Sequence, residues 1–353
     1  MAGADFDDTS HTAWISQGFE RLVDRVRKAP AALHFDVLIV GSGYGGAIAA
    51  ATMAGRTKGG APVKVGVLER GKEYLPGSFP TGLAELPRHI RRDRNKEGLV
   101  DVRIGPEVVT VVANGVGGGS LINAGVMEVP DENVFHMRWP DDLKDLTTWR
   151  QYYDRASELL GGTANGVPNS ISKHPDGIPQ KHKSFRNIAS TGFREAAITV
   201  AMTDTVSSGN VQLNKCVRCG DCATGCNFGA KNSLDVNLLV TALGNEAEIF
   251  SGATVLSVKP DGGNWIVDCV YTDAALRGRD REVLQVRAGK VVLAAGTLGS
   301  FEILKRSQAK GLSLSVHFGN HCSTNGDMLV TDYATSNPVN TVSDEAVQPS
   351  KRA

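Results

Sequence analysis

Apolar and polar positions change period along the chain, and each change marks an element. Near the start, Trp14, Ile15, Phe19, Leu22, Val23 and Val26 recur mostly at helical spacing. Ser10 or Thr12 can cap this helix, and Arg25, Arg27 and Lys28 in its last turn suit the negative end of the dipole. Its polar face also carries Glu20 and Asp24, so the pattern predicts a helical extension over residues 1–34 that packs on the next domain rather than on a membrane surface. Phe35–Val40 and Val63–Glu69 are short apolar runs of the kind that form buried parallel strands. Ala47–Ala54, between them, is a run of small helix formers. Val108–Val112, Gly252–Val258 and Lys290–Leu293 predict further strands, and Leu146–Leu160 a helix. Trp149, Tyr152 and Tyr153 on that helix, with Trp139 before it, are expected in the core. Strands alternating with helices predict an α/β fold with a parallel sheet. Residues 161–192, rich in Gly, Pro, Ser and Lys, read as a long insertion, and 331–353 as a loop or disordered tail.

Composition narrows the function classes. The 353 residues hold 38 basic and 38 acidic side chains, which removes an electrostatic case for a nucleic-acid partner. With 41% hydrophobic and 22% charged residues the chain is globular, and its length suits about two domains. From Val37 to Thr57 only Arg56 is charged, but Gly41, Gly43, Gly45 and Gly46 interrupt the run, so no transmembrane segment is expected there. Residues 1–34 lack the apolar core of a secretory signal, which predicts a cytoplasmic protein. Pro87–Lys96 carries Arg88, Arg91, Arg92, Arg94 and Lys96 against Asp93, a solvated face or a contact for an anionic surface.

The candidate chemistry sits where the first strand ends. Gly41-Ser-Gly-Tyr-Gly-Gly46 matches G-x-G-x-x-G between a strand and a helix. Free N–H groups at a helix N-terminus, with no Cβ in the way, can hold a diphosphate. Glu69 ends the second strand 23 residues after Gly46, near the spacing at which an acid accepts hydrogen bonds from a ribose. The order strand, glycine turn, helix, strand, acid predicts a Rossmann-type dinucleotide site. Ala113–Gly125 adds a second glycine-rich loop, and Lys290–Gly299 another strand running into a glycine turn. Both argue for a large, enclosed cofactor.

Cys216, Cys219, Cys222 and Cys226 form C-x2-C-x2-C-x3-C, the bacterial ferredoxin spacing. An iron–sulfur cluster, a zinc ion and plain thiols are the candidate readings; a cytosolic chain disfavours disulfides. Asn227 stands where the ferredoxin run has Pro, and only Cys269 and Cys322 remain as additional thiols.

Five segments together resemble the glucose–methanol–choline (GMC) oxidoreductases, in particular their cholesterol-oxidase-like branch. They are Gly41–Gly46, Leu68–Gly71, Gly115–Asn123, Ala294–Ser300 and Asn325–Met328, in the family's order across about residues 35–330. The resemblance implies an FAD-binding domain over 35–330, interrupted by a cap or substrate-side region at 72–215 and by the cysteine loop 216–226. It implies an enzyme that oxidises the CH–OH group of an alcohol, such as a sterol or another bulky apolar alcohol, by hydride transfer to flavin. Gly41, Gly43 and Gly46 would shape the diphosphate turn, with Tyr44 and Gly45 beside it. Glu69 would bind the adenosine ribose, Gly117, Gly118, Gly119 and Asn123 would approach the flavin, and Val255 would meet the adenine through its backbone. No His lies between Gly115 and Gly125, so a non-covalent flavin is expected. The resemblance implies that the family's catalytic His belongs to a C-terminal part expected to lie beyond these residues. His317 and His321 match no catalytic motif, and no catalytic residue is assigned. Two other readings follow: an electron-transfer flavoprotein module using the cysteine run, and an inactive truncated remnant. An electron-acceptor protein or a complementing chain is a further expected partner.

Overall fold

The computed structural model describes residues 14–81, 84–127, 129–130, 132–136, 139–160, 197–217 and 219–320. Its main elements, in chain order, are β1 (Gln17–Gly18), α1 (Phe19–Lys28), β2 (Phe35–Val40), α2 (Tyr44–Met53), β3 (Val65–Leu68), β4 (Val100–Ile104) and β5 (Val109–Ala113). There follow α3 (Leu146–Leu159), α4 (Leu238–Gly244), β6 (Glu248–Ser251), β7 (Ala253–Asp261), β8 (Asn264–Tyr271), β9 (Leu284–Leu293) and α5 (Gly296–Gln308). The expected insertion at 161–192, the tail at 331–353, His321, Cys322 and Asn325–Met328 lie outside the described residues.

One seven-stranded sheet carries the fold, in the order β1-β6-β3-β2-β9-β8-β7. The pairs β1–β6, β6–β3, β3–β2 and β2–β9 are parallel, and β9–β8 and β8–β7 are antiparallel. Five strands, β1-β6-β3-β2-β9, form the parallel sheet that the sequence predicts, and the antiparallel pair β8 and β7 extends it at one edge. The reason is local: β7 and β8 are joined by Gly262-Gly263, a two-residue connection that permits only a hairpin.

Strand β2 sits at the centre because both its faces are buried. Leu38 and Val40 join one core cluster, Val37 and Ile39 the other, as the two-residue period requires. The first cluster receives Phe19, Leu22, Val23 and Val26 of α1, so the N-terminal helix packs on the sheet as expected, but it starts at Phe19 on Gly18 rather than near Trp14, because Gln17–Gly18 is drawn into the sheet as β1. The second receives Ala47 and Ala50 of α2 with Leu238, Leu239 and Ala242 of α4. Alanines on α2 let that helix lie close to the sheet, which fixes where its N-terminus points.

The described residues of region 72–215 add no strand to the main sheet and form small units, among them the hairpin β4–β5. Helix α3 starts on Asp145, whose carboxylate accepts the Thr147 N–H (2.9 Å). The aromatic expectation holds only in part. Tyr152 is 59% exposed and Trp139 37% exposed. Trp139, Trp149 and Tyr153 gather around Phe135, the one fully buried ring of the group, and a single small cluster cannot enclose them all. Among the described residues no helix is long and apolar enough to cross a membrane.

Candidate functional site

The C-terminal ends of β3, β2 and β9 are bonded side by side: Gly41 N–H donates to Leu68 O and Ala294 N–H to Val40 O, each at 2.8 Å. The glycine turn sits on these ends. Gly41 has φ +99°, and a Cβ there would lie 2.4 Å from the Ala294 carbonyl oxygen. A Cβ on Gly46 would lie 1.9 Å from the Gly41 carbonyl, so the first turn of α2 presses on the loop that precedes it. Gly43 is the N-cap of α2, no side chain caps it, and no acid occupies the first turn. The N–H groups there point outward with a positive field and no side chain to answer it.

A second glycine turn lies directly on the first. Gly118 has φ +55°, and a Cβ on it would come within 2.6 Å of Gly43 Cα. Beside it, a Cβ on Gly119 would meet nothing within 4 Å. The two backbones thus form a cradle with no side chains in it, open along one side.

Glu69 and Ser42 lock the two turns together. Ser42 is fully buried; its hydroxyl donates to Glu69 Oε2 (2.6 Å), to which its N–H also points (3.1 Å), and the same hydroxyl accepts from Gly117 N–H (3.1 Å). Glu69 Oε1 accepts from Gly71 N–H (2.8 Å). These three bonds fill most of the roughly four acceptor positions of a carboxylate, leaving about one for a ligand hydroxyl. Sequence reasoning passed over Ser42; its signal is a small hydroxyl residue inside the motif, whose partner is apparent only once the sheet order is known.

At the rim, Asn123 Nδ2 donates to Tyr44 Oη (2.8 Å), so two sequence-selected residues meet. Behind Asn123 lies Lys231, in the segment that follows the cysteine run. Only 3% exposed, its Nζ donates to Leu121 O (3.0 Å), Cys222 O (2.9 Å) and Asn123 O. Burial pulls the Lys231 ammonium down to about 8, against the opposing influence of Cys222, Cys226 and Asp235. Burial also pushes the Asp235 carboxyl up to about 6, although a Ser233 hydrogen bond and the Lys231 charge oppose it.

The structure therefore brings Gly41, Gly43, Tyr44, Gly45, Gly46, Glu69, Gly117, Gly118, Gly119 and Asn123 to one place. Val255 is buried on β7, two residues beyond Ala253, whose N–H bonds the Glu69 carbonyl (2.8 Å). Its own carbonyl oxygen receives Arg306 Nη2 at 3.5 Å. His317 is exposed and joins none of these residues' hydrogen bonds.

The cysteines do not fit a cluster in this arrangement. Among the described residues no group of three or more His, Cys, Asp or Glu side chains converges on a possible metal position. Burial pushes the Cys219 thiol up to about 11 and raises that of Cys222. The four-cysteine spacing is satisfied along the chain, but convergence depends on how the loop bends, and here the run passes through a short helical turn at Asp221–Thr224.

Comparison with known proteins agrees with the dinucleotide reading. The family model described as GMC oxidoreductase matches residues 35–321. A cholesterol oxidase of Acinetobacter baumannii is 28% identical over 312 residues, covering 84% of this chain and 55% of that protein. A cholesterol oxidase of Mycobacterium tuberculosis is 30% identical over 316 residues, covering 84% and 52%. A long-chain-alcohol oxidase of Arabidopsis thaliana is 25% identical over 317 residues, covering 85% and 37%. The chain spans about half the length of the cholesterol oxidases it matches, and less of the plant enzyme.

Proposed function

The chain belongs to the GMC oxidoreductases, and from that premise we propose that it binds FAD non-covalently and serves the oxidation of an alcohol CH–OH group. The observation that carries this reading is the contact of Gly43 with Gly118: two glycine turns, each with a backbone only glycine adopts freely, leave an open cradle at an uncapped helix start. Gly41, Gly43 and Gly46 would hold the diphosphate, with the amides of Tyr44 and Gly45 facing it. Glu69 would accept a ribose hydroxyl on its remaining acceptor position while Ser42 keeps the carboxylate oriented. Gly117, Gly118, Gly119 and Asn123 would lie against the flavin, and Val255 would offer its backbone to the adenine.

When bound, the flavin supplies the hydride acceptor. The chain's own contribution is to exclude side chains from the diphosphate, to present N–H groups to its charge, and to hold Tyr44 and Asn123 at the mouth. The substrate class that fits the named relatives is a bulky apolar alcohol, a sterol or a long-chain alcohol. Region 72–215 would form the substrate side, and an electron-acceptor protein or a complementing chain would complete the system. No described residue is assigned as the base that removes the hydroxyl proton.

The test is retention of the chromophore. Protein reconstituted with FAD and exhaustively dialysed should stay yellow, with flavin bands shifted from those of free FAD. Colourless protein after dialysis would contradict the reading.

A further inference from the structure

Lys231 stands where the second glycine loop, more than a hundred positions earlier in the chain, meets the cysteine loop that shortly precedes it. Its Nζ donates to the carbonyls of Leu121 and Asn123 on the second glycine loop and of Cys222 on the cysteine loop. An ammonium has three donors, and all three are used on neutral acceptors. Taking such a charge out of water is costly, and a methionine or leucine could fill the same volume without that cost. The segment that carries Lys231 is also bonded to the glycine loop from a second direction. Ser120 Oγ accepts Leu234 N–H (3.0 Å) and donates to Gly117 O (2.7 Å). A cavity of about 10 Å³ lies between these segments, lined by Leu121, Cys226, Lys231, Ser233 and Asp235 among others. Asp235 Oδ1 is buried there and has no hydrogen-bond partner among the described residues. The loop that would support the flavin is therefore held from behind by one cation, which also grips the cysteine run.

We infer that Lys231 is a positioning residue for the flavin, whose ammonium fixes the Leu121–Asn123 wall of the cofactor site and couples that wall to the cysteine loop through the Cys222 carbonyl. The inference rests on the FAD reading above. It gives the cysteine run a role that needs no metal: the loop is the far end of the support. Coupling of this kind is reciprocal, so FAD that orders the wall must also order the cysteine loop.

Two readouts test this on the full chain. FAD affinity of the wild type and of Lys231→Met is measured by flavin fluorescence quenching. Alkylation rates of Cys222 and Cys226 are measured by peptide mass analysis with and without FAD. The expected results are an affinity at least tenfold weaker in Lys231→Met, and at least threefold slower alkylation of the two cysteines when FAD fills the wild-type site. That protection should vanish in the variant at saturating FAD, which general loosening of the fold would not produce. Wild-type protein that binds FAD without protecting its cysteines overturns the inference alone, as does a variant whose affinity lies within twofold of wild type. If Lys231→Met does not fold, the wild-type protection experiment decides by itself. Wild-type protein that leaves FAD fluorescence unquenched overturns the flavin reading and this inference with it.

Discussion

At Ser42 one hydroxyl links the end of β2, the acid that ends β3 and the second glycine turn. It is buried, donates to a carboxylate at 2.6 Å and accepts a backbone N–H at 3.1 Å. Ser42→Ala removes a bond to a charged acceptor and leaves the Gly117 N–H unanswered, a loss of about 1.5–3 kcal/mol. The expected outcome is a lower denaturation midpoint together with weaker FAD binding, read by urea unfolding and flavin titration. Asp101 is a second residue whose surroundings decide its behaviour. Burial alone would raise its carboxyl; the Arg103 hydrogen bond and the charges of Arg70, Arg103 and Arg91 outweigh it and hold it below its ordinary value. A depressed acid contributes stability above its unfolded pKa and loses that contribution as pH falls through the folded one. Asp101→Asn should therefore cost on the order of 2 kcal/mol at pH 7. That is below the usual figure for a broken buried pair, because the guanidinium groups remain partly in water. Denaturation curves for the two proteins should converge as the pH drops below about 4.

At the scale of elements, α1 shows how a short amphipathic segment acquires a place. Its apolar stripe covers the β2 and β6 side of the first core cluster, and the preceding β1 pairs with β6. Arg25 reaches across to Glu248 of β6 and lies over the Phe35 ring, so helix and sheet are joined at the polar margin as well. Leu22 is fully buried in this interface. Leu22→Ala should lower stability by about 2–5 kcal/mol, seen in thermal melts, with the spread set by how far α1 settles into the cavity. Helix α2 presents the opposite case. Gly46 lies against Gly41, and Ala47 and Ala50 lie against the sheet, so its position is set by small residues and tolerates little growth.

For the whole molecule, ligand linkage supplies the test. A cofactor that binds only the folded state stabilises it by about 2.7 kcal/mol at a hundredfold excess over Kd. FAD added at that excess should raise the melting temperature by several degrees, and an unrelated nucleotide such as GTP should not. Calorimetric or fluorescence-monitored melts would show the difference.

Some of this was available along the chain and some was not. The strand, glycine turn, helix, strand and closing Glu69 were legible because each is fixed by neighbours in sequence: side-chain period, absence of a Cβ, and an acid at a strand end. The packing of α1 was legible for the same reason. The Ser42–Glu69–Gly117 bonds were not, since they depend on which strands lie side by side and on a loop more than seventy positions away. Lys231 looks like any other lysine until folding brings three carbonyls around it. The cysteine spacing suggested a cluster among other readings, and only the fold shows that among the described residues no three such donors converge. Local chemistry is written in near neighbours; the sheet order, and the long-range contacts it creates, decide which of those local features act together.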